Sequence, residues 1–182
     1  MRTFLALQID KETKKKVNSY INRFKNEIKS RVKWVEEENL HFTIFFFGEI
    51  DINISQKIIN VIDANKRNFK PFKVELKGIS FFPNTKNPRV IFFDVSKGAN
   101  EMKNIYEILY PEINKITRIK KESFVPHLTI GRIKDILFED DIKILINEKI
   151  DIREFLINKI TFFESKLTPE GPIYKSIKDF EF

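Results

Sequence analysis

One short pattern, histidine followed two positions later by threonine, occurs twice in the 182-residue chain and uses both of its histidines. The first copy is His41-Phe42-Thr43-Ile44, and the second, 86 positions further on, is His127-Leu128-Thr129-Ile130. Each copy lies in an apolar run typical of a β-strand. Because residues i and i+2 of a strand point to the same face, each copy places an imidazole and a hydroxyl side by side, roughly 7 Å apart. The chain is therefore expected to carry two related half-sites on two strands.

The elements predicted around the two copies follow a similar order in each half of the chain. Further strands are predicted at 2–9, 72–82, 89–95, 158–167 and 173–182, and helices after Asp10, at 55–67, at 100–109 and around Ile142. Pro111 is expected to end the third helix or to start a short successor. This order favours a pseudo-duplicated α+β fold with two lobes and mostly antiparallel sheets, in which residues 1–182 form one domain.

Composition excludes several kinds of site. The chain has no cysteine, which rules out disulfides, thiolate nucleophiles and thiolate metal sites. Two histidines are too few for a histidine-rich metal cluster, and no metal or other cofactor is expected. The apolar run at 4–9 is too short for a signal peptide and no later segment is long enough to span a bilayer, so a soluble, cytoplasmic protein without membrane contact is expected. A monomer is expected as well.

The charge of the chain is positive and unevenly distributed. The formal net charge is +7, and the segment from Asp10 to Lys33 contributes nine basic and three acidic residues. Such a surplus favours a polyanionic partner such as RNA, through attraction to phosphates. A solvated, lysine-rich helix face explains the same residues equally well.

Two converging half-sites would suit a phosphodiester displacement without a metal ion. With intrinsic pKa values of about 6.5, one neutral imidazole and one imidazolium form a matched general base and general acid. The hydroxyls of Thr43 and Thr129 can hold the non-bridging oxygens, and Arg132 can neutralise developing charge. In a regular strand Arg132 would point away from His127 and Thr129, so its role requires a twist or bulge at Gly131.

These residues resemble the 2H phosphoesterase superfamily, and specifically the RNA 2′,3′-cyclic phosphodiesterases that are also described as 2′-5′ RNA ligases. The resemblance extends over nearly the whole chain. It rests on both His-x-Thr-x copies with Gly48 and Arg132, and on the flanking residues Arg2-Thr3-Phe4, Lys33-Trp34-Val35, Phe82-Pro83, Pro88-Arg89-Val90, Ser165, Leu167, Pro169, Gly171, Pro172 and Tyr174. Phe45-Phe46-Phe47 departs from the more usual leucine-containing run.

The resemblance implies a bilobal fold in which two antiparallel sheets line a central cleft, with helices outside and a pseudo-twofold axis. It implies that His41 and His127 are the catalytic pair, commonly acid and base in that order, and that Thr43, Thr129 and Arg132 bind the phosphate. The implied reaction opens a 2′,3′-cyclic phosphate at an RNA end to a 2′-phosphomonoester, and a 5′-hydroxyl in place of water gives a 2′-5′ linkage.

Two alternatives remain open from the sequence. The same fold can act on 2′-5′ oligonucleotides or on a small cyclic phosphate, such as that of ADP-ribose. A basic RNA-binding module without catalysis is the alternative from another class, and it requires that the histidines only pack in the core. The four Phe-Phe pairs are expected to be core residues, although one or two of their rings can stack on a base at the rim of the cleft.

Overall fold

The computed structural model describes residues 1–169 and 171–182. Nine strands run as β1 (Arg2–Gln8), β2 (Val32–Trp34), β3 (His41–Glu49), β4 (Phe72–Phe82), β5 (Val90–Lys97), β6 (His127–Ile133), β7 (Phe155–Ile157), β8 (Lys159–Leu167) and β9 (Pro172–Glu181). Four α-helices run as α1 (Lys11–Glu27), α2 (Ile52–Asn65), α3 (Ala99–Thr117) and α4 (Glu139–Ile146). Short 3₁₀ turns cover Glu37–Asn39 and Lys66–Asn68.

The strands form two sheets, each of which contains one copy of the histidine pattern. The first sheet has the order β3-β1-β8-β9 and carries His41, and the second has the order β2-β6-β5-β4-β7 and carries His127. All the strand pairs are antiparallel. The predicted α+β fold with two mostly antiparallel sheets is confirmed.

The helices cover the outer faces of the sheets. In α1 the fully buried side chains Val17, Ile21 and Phe24 recur at helical spacing. Phe24 stacks on Trp34 of β2, so α1 packs on the second sheet. Tyr106 of α3 stacks on Phe45 of β3, which places α3 on the first sheet. His41 and Thr43 lie on the face of β3 opposite Phe45, and this face lines a cleft.

A single aspartate marks the start of each of two helices. The Asp10 carboxylate accepts a hydrogen bond of 2.9 Å from the backbone N–H of Thr13 and thereby caps α1, as predicted. Asp51 caps α2 in the same way, so that α2 begins at Ile52, three residues before the predicted start. Glu170, in the predicted turn between β8 and β9, lies outside the described residues.

The third helix corrects one prediction. Instead of ending before Pro111, α3 continues through it to Thr117. Pro111 lies on the exposed face, while Leu109 and Ile113 on the opposite face are fully buried. The apolar stripe therefore extends past the proline, and its burial offsets the backbone hydrogen bond that proline cannot donate. No helix of the part described is both long and apolar enough to cross a membrane.

Candidate active site

The first half-site lies on β3, which forms an edge of the first sheet. Strand register pairs Gln8 with His41 and Ala6 with Thr43, and it then skips Ile44, so that Phe4 pairs with Phe46. Directly paired residues point to the same face of a sheet. The β-bulge at Ile44 therefore places Phe46 on the face of His41 and Thr43, which a regular strand would not do.

The second half-site on β6 has a β-bulge at the equivalent position. His127 pairs with Asp94, Thr129 with Phe92 and Arg132 with Val90, and Ile130 is skipped. Since alternate residues of β5 share a face, the side chains of His127, Thr129 and Arg132 share a face as well. The parity problem expected for Arg132 is thus removed by a bulge one residue before Gly131.

Gly131 itself has a different role from the one expected. A Cβ atom at this position would lie 2.7 Å from Cγ1 of Val32 and 3.1 Å from Cε3 of Trp34. Such a distance from Val32 is shorter than any ordinary carbon–carbon contact. Gly131 therefore allows β2 to approach β6 closely, and this approach brings Lys33 directly opposite Arg132.

The five predicted site residues line one cleft of about 810 Å³ between the two sheets. His41, Thr43, His127 and Thr129 are half-buried, whereas Arg132 is exposed. The cleft also contains residues that the sequence did not assign to the site, among them Arg2, Lys33, Trp34, Phe46 and Tyr174. Except for Phe46, these residues lie in segments that carry the family resemblance. The resemblance could therefore have been used to predict that they line the site.

Both imidazoles are oriented in the same way by the backbone. Nδ1 of His41 lies 2.7 Å from the carbonyl oxygen of Asn39, and Nδ1 of His127 lies 2.7 Å from that of Val125. A carbonyl oxygen only accepts, so Nδ1 carries the hydrogen in each ring. Nε2 is then the nitrogen with a free lone pair in the neutral form, and it can take up a proton.

The threonines of the two half-sites differ in their contacts. The Thr43 hydroxyl lies 3.0 Å from Nε2 of His41 and can donate its hydrogen to that nitrogen. Within residues 1–169 and 171–182, Thr129 forms no corresponding bond with His127. The first half-site is therefore internally hydrogen-bonded, and the second has a hydroxyl and an imidazole nitrogen open to the cleft.

Aromatic rings surround both imidazoles and hold them in place. The His41 ring lies 4.9 Å from the Phe4 ring and 5.4 Å from the Tyr174 ring, measured between centroids. The His127 ring meets Phe82 and Phe92 edge to face, at 4.8 and 5.2 Å. Phe82 and Phe92 belong to the Phe-Phe pairs at 81–82 and 92–93, so one ring of each of these two pairs supports His127.

The same packing alters the acidity of the histidines. Burial lowers the pKa of His41 to about 4, and the nearby positive charge of Lys14 acts in the same direction, against the hydrogen bond to Asn39. Burial also lowers the pKa of His127, with a contribution from Arg132 that the Val125 hydrogen bond and Asp94 oppose. Both imidazoles are therefore neutral near pH 7 in the free protein, whereas ordinary pKa values were expected from the sequence.

The charged residues of the cleft are mixed. Arg2, Lys33 and Arg132 supply positive charge. Glu36, just before the 3₁₀ turn that precedes β3, and Glu38, within that turn, supply negative charge. Across the described ranges, no three histidine, aspartate or glutamate side chains come close enough together to hold a metal ion. The cleft thus combines imidazole and hydroxyl groups with both cations and carboxylates.

Two His-x-Thr half-sites that face one cleft from two antiparallel sheets define a phosphoesterase of the two-histidine class. A family model described as LigT like Phosphoesterase matches residues 7–92 and 94–174. The chain belongs to this LigT-like family of the 2H phosphoesterase superfamily, and it is a hydrolase that acts on phosphodiesters.

Relatives with curated names match over nearly their full length. The protein of Thermotoga maritima is 35% identical over 100% of this chain and 96% of its own length, and it is named RNA 2′,3′-cyclic phosphodiesterase. The protein of Methanocaldococcus jannaschii, with the same name, is 35% identical over 98% of this chain and 99% of its own.

Solved structures confirm the fold. TT0787 of Thermus thermophilus has a TM-score of 0.85 at 23% identity, with 100% of this chain and 97% of that chain covered. LigT of Escherichia coli complexed with 3′-AMP has a TM-score of 0.76 at 16% identity, with 99% and 97% covered. The fold of this chain is therefore that of the LigT phosphoesterases.

Proposed function

We propose that this protein is a metal-independent RNA 2′,3′-cyclic phosphodiesterase that opens a terminal 2′,3′-cyclic phosphate to a 2′-phosphomonoester. One observation carries the proposal: both histidines line one cleft, and in each the backbone holds Nδ1 so that Nε2 is left for proton transfer. The names of the relatives from Thermotoga maritima and Methanocaldococcus jannaschii support RNA as the substrate.

In the proposed reaction, water attacks the phosphorus atom and the bond from phosphorus to the 3′ oxygen breaks. Nε2 of His127 takes the proton from the attacking water, and Nε2 of His41 gives a proton to the departing 3′ oxygen, in the order that the family resemblance implies. The product has a 2′-phosphate and a free 3′-hydroxyl. A 5′-hydroxyl that replaces water as the nucleophile gives a 2′-5′ linkage.

Substrate binding favours the protonated form of His41, which the general acid requires, and the proton comes from solvent. With a pKa of about 4, His41 is neutral in the free protein near pH 7. An anionic phosphate beside the ring favours the imidazolium and raises this pKa. His41 then takes up a proton as the substrate binds and releases it to the 3′ oxygen.

Neutral donors and one cation surround the proposed phosphate position. The Thr129 hydroxyl can donate to a non-bridging oxygen, and the Thr43 hydroxyl can do so once His41 is protonated and its Nε2 no longer accepts. The exposed guanidinium of Arg132 shares a face of β6 with Thr129. Charge-assisted hydrogen bonds of this kind stabilise the charge that develops in the transition state.

The identity of the product tests the proposal. Protein treated with EDTA is incubated with 2′,3′-cyclic AMP and with an RNA that ends in a cyclic phosphate, and the products are separated against 2′- and 3′-phosphate standards. We expect only 2′-phosphates. A 3′-phosphate product would contradict the proposed bond cleavage, and binding to RNA that weakens steeply with salt but without any turnover would favour an RNA-binding module instead.

The catalytic roles are tested by His41→Ala and His127→Ala. Each variant should lose activity by a factor of about 10²–10⁴, because each removes one proton-transfer group. The double variant should be little worse than either, since the two groups act in one step. Initial rates with a 2′-5′ dinucleotide and with the cyclic phosphate of ADP-ribose separate the RNA reaction from the two other substrates considered.

A further inference from the structure

The cleft continues beyond the two half-sites along the first sheet. Arg2 and Phe4 lie on one face of β1, and Phe4 is paired with Phe46. The Arg2 guanidinium lies over the Phe46 ring, 4.8 Å from its centroid. Thr43 and Phe46 are one same-face step apart on the bulged strand, roughly 7 Å along the backbone, and the guanidinium lies over the ring of the farther residue.

Tyr174 of β9 lies in the same part of the cleft. Its ring contacts Phe4 edge to face at 4.7 Å and His41 at 5.4 Å, so these two rings fix the direction of the side chain. Burial raises the pKa of Tyr174, and the positive charges of Arg132 and Arg2 act against this shift. The phenol is therefore close enough to both guanidinium groups to feel their charge. In the described part of the chain its hydroxyl has no hydrogen-bond partner.

The charge of this region is positive. Arg2 forms no ion pair with a carboxylate of the described residues. The two carboxylates that line the cleft, Glu36 and Glu38, lie next to the start of β3, and Phe46 lies towards its end. Glu49, which is paired with Arg2 across the two strands, forms its ion pair with the N-terminal ammonium group. A guanidinium and a phenolic hydroxyl thus line the end of the cleft away from Glu36 and Glu38.

We propose that Arg2 and Tyr174 form a second anion subsite, which binds the phosphodiester that precedes the terminal cyclic phosphate of an RNA chain. The inference rests on the proposed function, and it names the preferred substrate as an oligonucleotide end and not a mononucleotide. The terminal phosphate requires only Arg132 and the two threonines, so Arg2 and the Tyr174 hydroxyl are left for a second anion. The distance of one same-face strand step is within the reach of one nucleotide unit.

The subsite is tested by comparing two substrates that differ by one internal phosphate, 2′,3′-cyclic AMP and the dinucleotide ApA with a terminal 2′,3′-cyclic phosphate. The measured quantity is the ratio of kcat/KM for the dinucleotide to kcat/KM for the mononucleotide. Arg2→Met and Tyr174→Phe should each lower this ratio about tenfold, which is the effect of losing one hydrogen bond to a charged group. Arg67→Met, which removes an exposed arginine outside the cleft, is the matched control.

Salt dependence provides a second readout that needs no variant. Each additional phosphate contact with single-stranded RNA steepens the fall of log(kcat/KM) against log[KCl] by about 0.7. The wild-type slope should be steeper for the dinucleotide, and Arg2→Met should remove the difference. Equal slopes for the two substrates, or an unchanged ratio in both variants, would overturn the subsite, whereas no turnover of either substrate by the wild type would overturn the proposed function itself.

Discussion

The ammonium group of Lys14 donates a hydrogen bond of 2.8 Å to the backbone carbonyl of Glu38. Glu38 belongs to the 3₁₀ turn Glu37–Asn39, and the next carbonyl, that of Asn39, fixes Nδ1 of His41. Asn18 holds the same turn through a 3.0 Å bond to the Glu37 carboxylate. Helix α1 is thus connected to His41, the proposed general acid, through a turn that Lys14 and Asn18 hold in place.

Replacing Lys14 with methionine should raise the pKa of His41. The methionine keeps the apolar length of the side chain, while the charge that disfavours the imidazolium is removed. With only two histidines in the chain, NMR can follow each imidazole separately. The His41 titration should move to higher pH and the His127 titration should stay in place.

The matched control for this variant is Lys15→Met, which removes an exposed lysine of the same helix. An equal shift in both variants would indicate a general effect of net charge. No shift in Lys14→Met would show that Lys14 only supports the turn.

Activity should depend on pH differently in the free protein and in the complex. The profile of kcat/KM reports free-enzyme pKa values, which burial lowers for both histidines, so its optimum should lie below the ordinary imidazole value of about 6.5. The profile of kcat reports the complex, where the substrate anion raises both values. Its optimum should therefore lie at higher pH. Coincident optima would contradict the uptake of a proton on substrate binding.

Gly131→Ala should destabilise the protein by about 1–3 kcal/mol, as expected for an added methyl group in a close-packed site. The new Cβ would meet Val32 at 2.7 Å and would push β2 away from β6. Urea unfolding followed by the fluorescence of Trp34, the single tryptophan, measures the loss. Adding Val32→Ala should recover part of the stability, and additive effects in the double variant would contradict the steric explanation.

Asp141→Ala should destabilise the protein by about 3 kcal/mol, because it leaves buried donors without an acceptor. The Asp141 carboxylate is 2% exposed and accepts hydrogen bonds from the backbone N–H and the hydroxyl of Ser30, at 2.8 and 2.5 Å. Thermal or urea unfolding measures the change. Asp140→Ala is the control, because the Asp140 carboxylate is exposed and forms a surface ion pair with Lys143. An equal loss of stability in both variants would contradict the argument.

The parts of the fold that could be predicted from the sequence are those with strong local signals. The apolar periodicity of α1 and the turn residues between β4 and β5 act within a few positions along the chain. The short strands β2 and β7 were not predicted, because three residues carry too little pattern to be distinguished from a loop. The predicted end of α3 at Pro111 was wrong, because the burial of Ile113, a tertiary effect, outweighs the low helix propensity of proline.

The candidate site likewise contains residues whose placement could be predicted from the sequence and residues whose placement could not. His41 and Thr43 could be placed on one face because a strand alternates its side chains over two residues. Arg132 could not be placed, because its direction depends on which residue of β6 the neighbouring β5 skips. Tyr174 was not assigned to the site, since a contact with His41 across the sheet leaves no trace in the spacing of residues along the chain.

The two β-bulges, at Ile44 and Ile130, occupy the same position in each copy of the pattern. Both turn the fifth residue after the histidine into the cleft, and in one lobe this residue is Phe46 and in the other it is Arg132. Two similar histidines alone would present a substrate with two equivalent ways to bind. The two sides differ, because Phe46 presents a ring with the Arg2 guanidinium over it, whereas Arg132 presents a cation directly. Under the proposed function, this difference gives the bound nucleotide a defined direction and each histidine a single role.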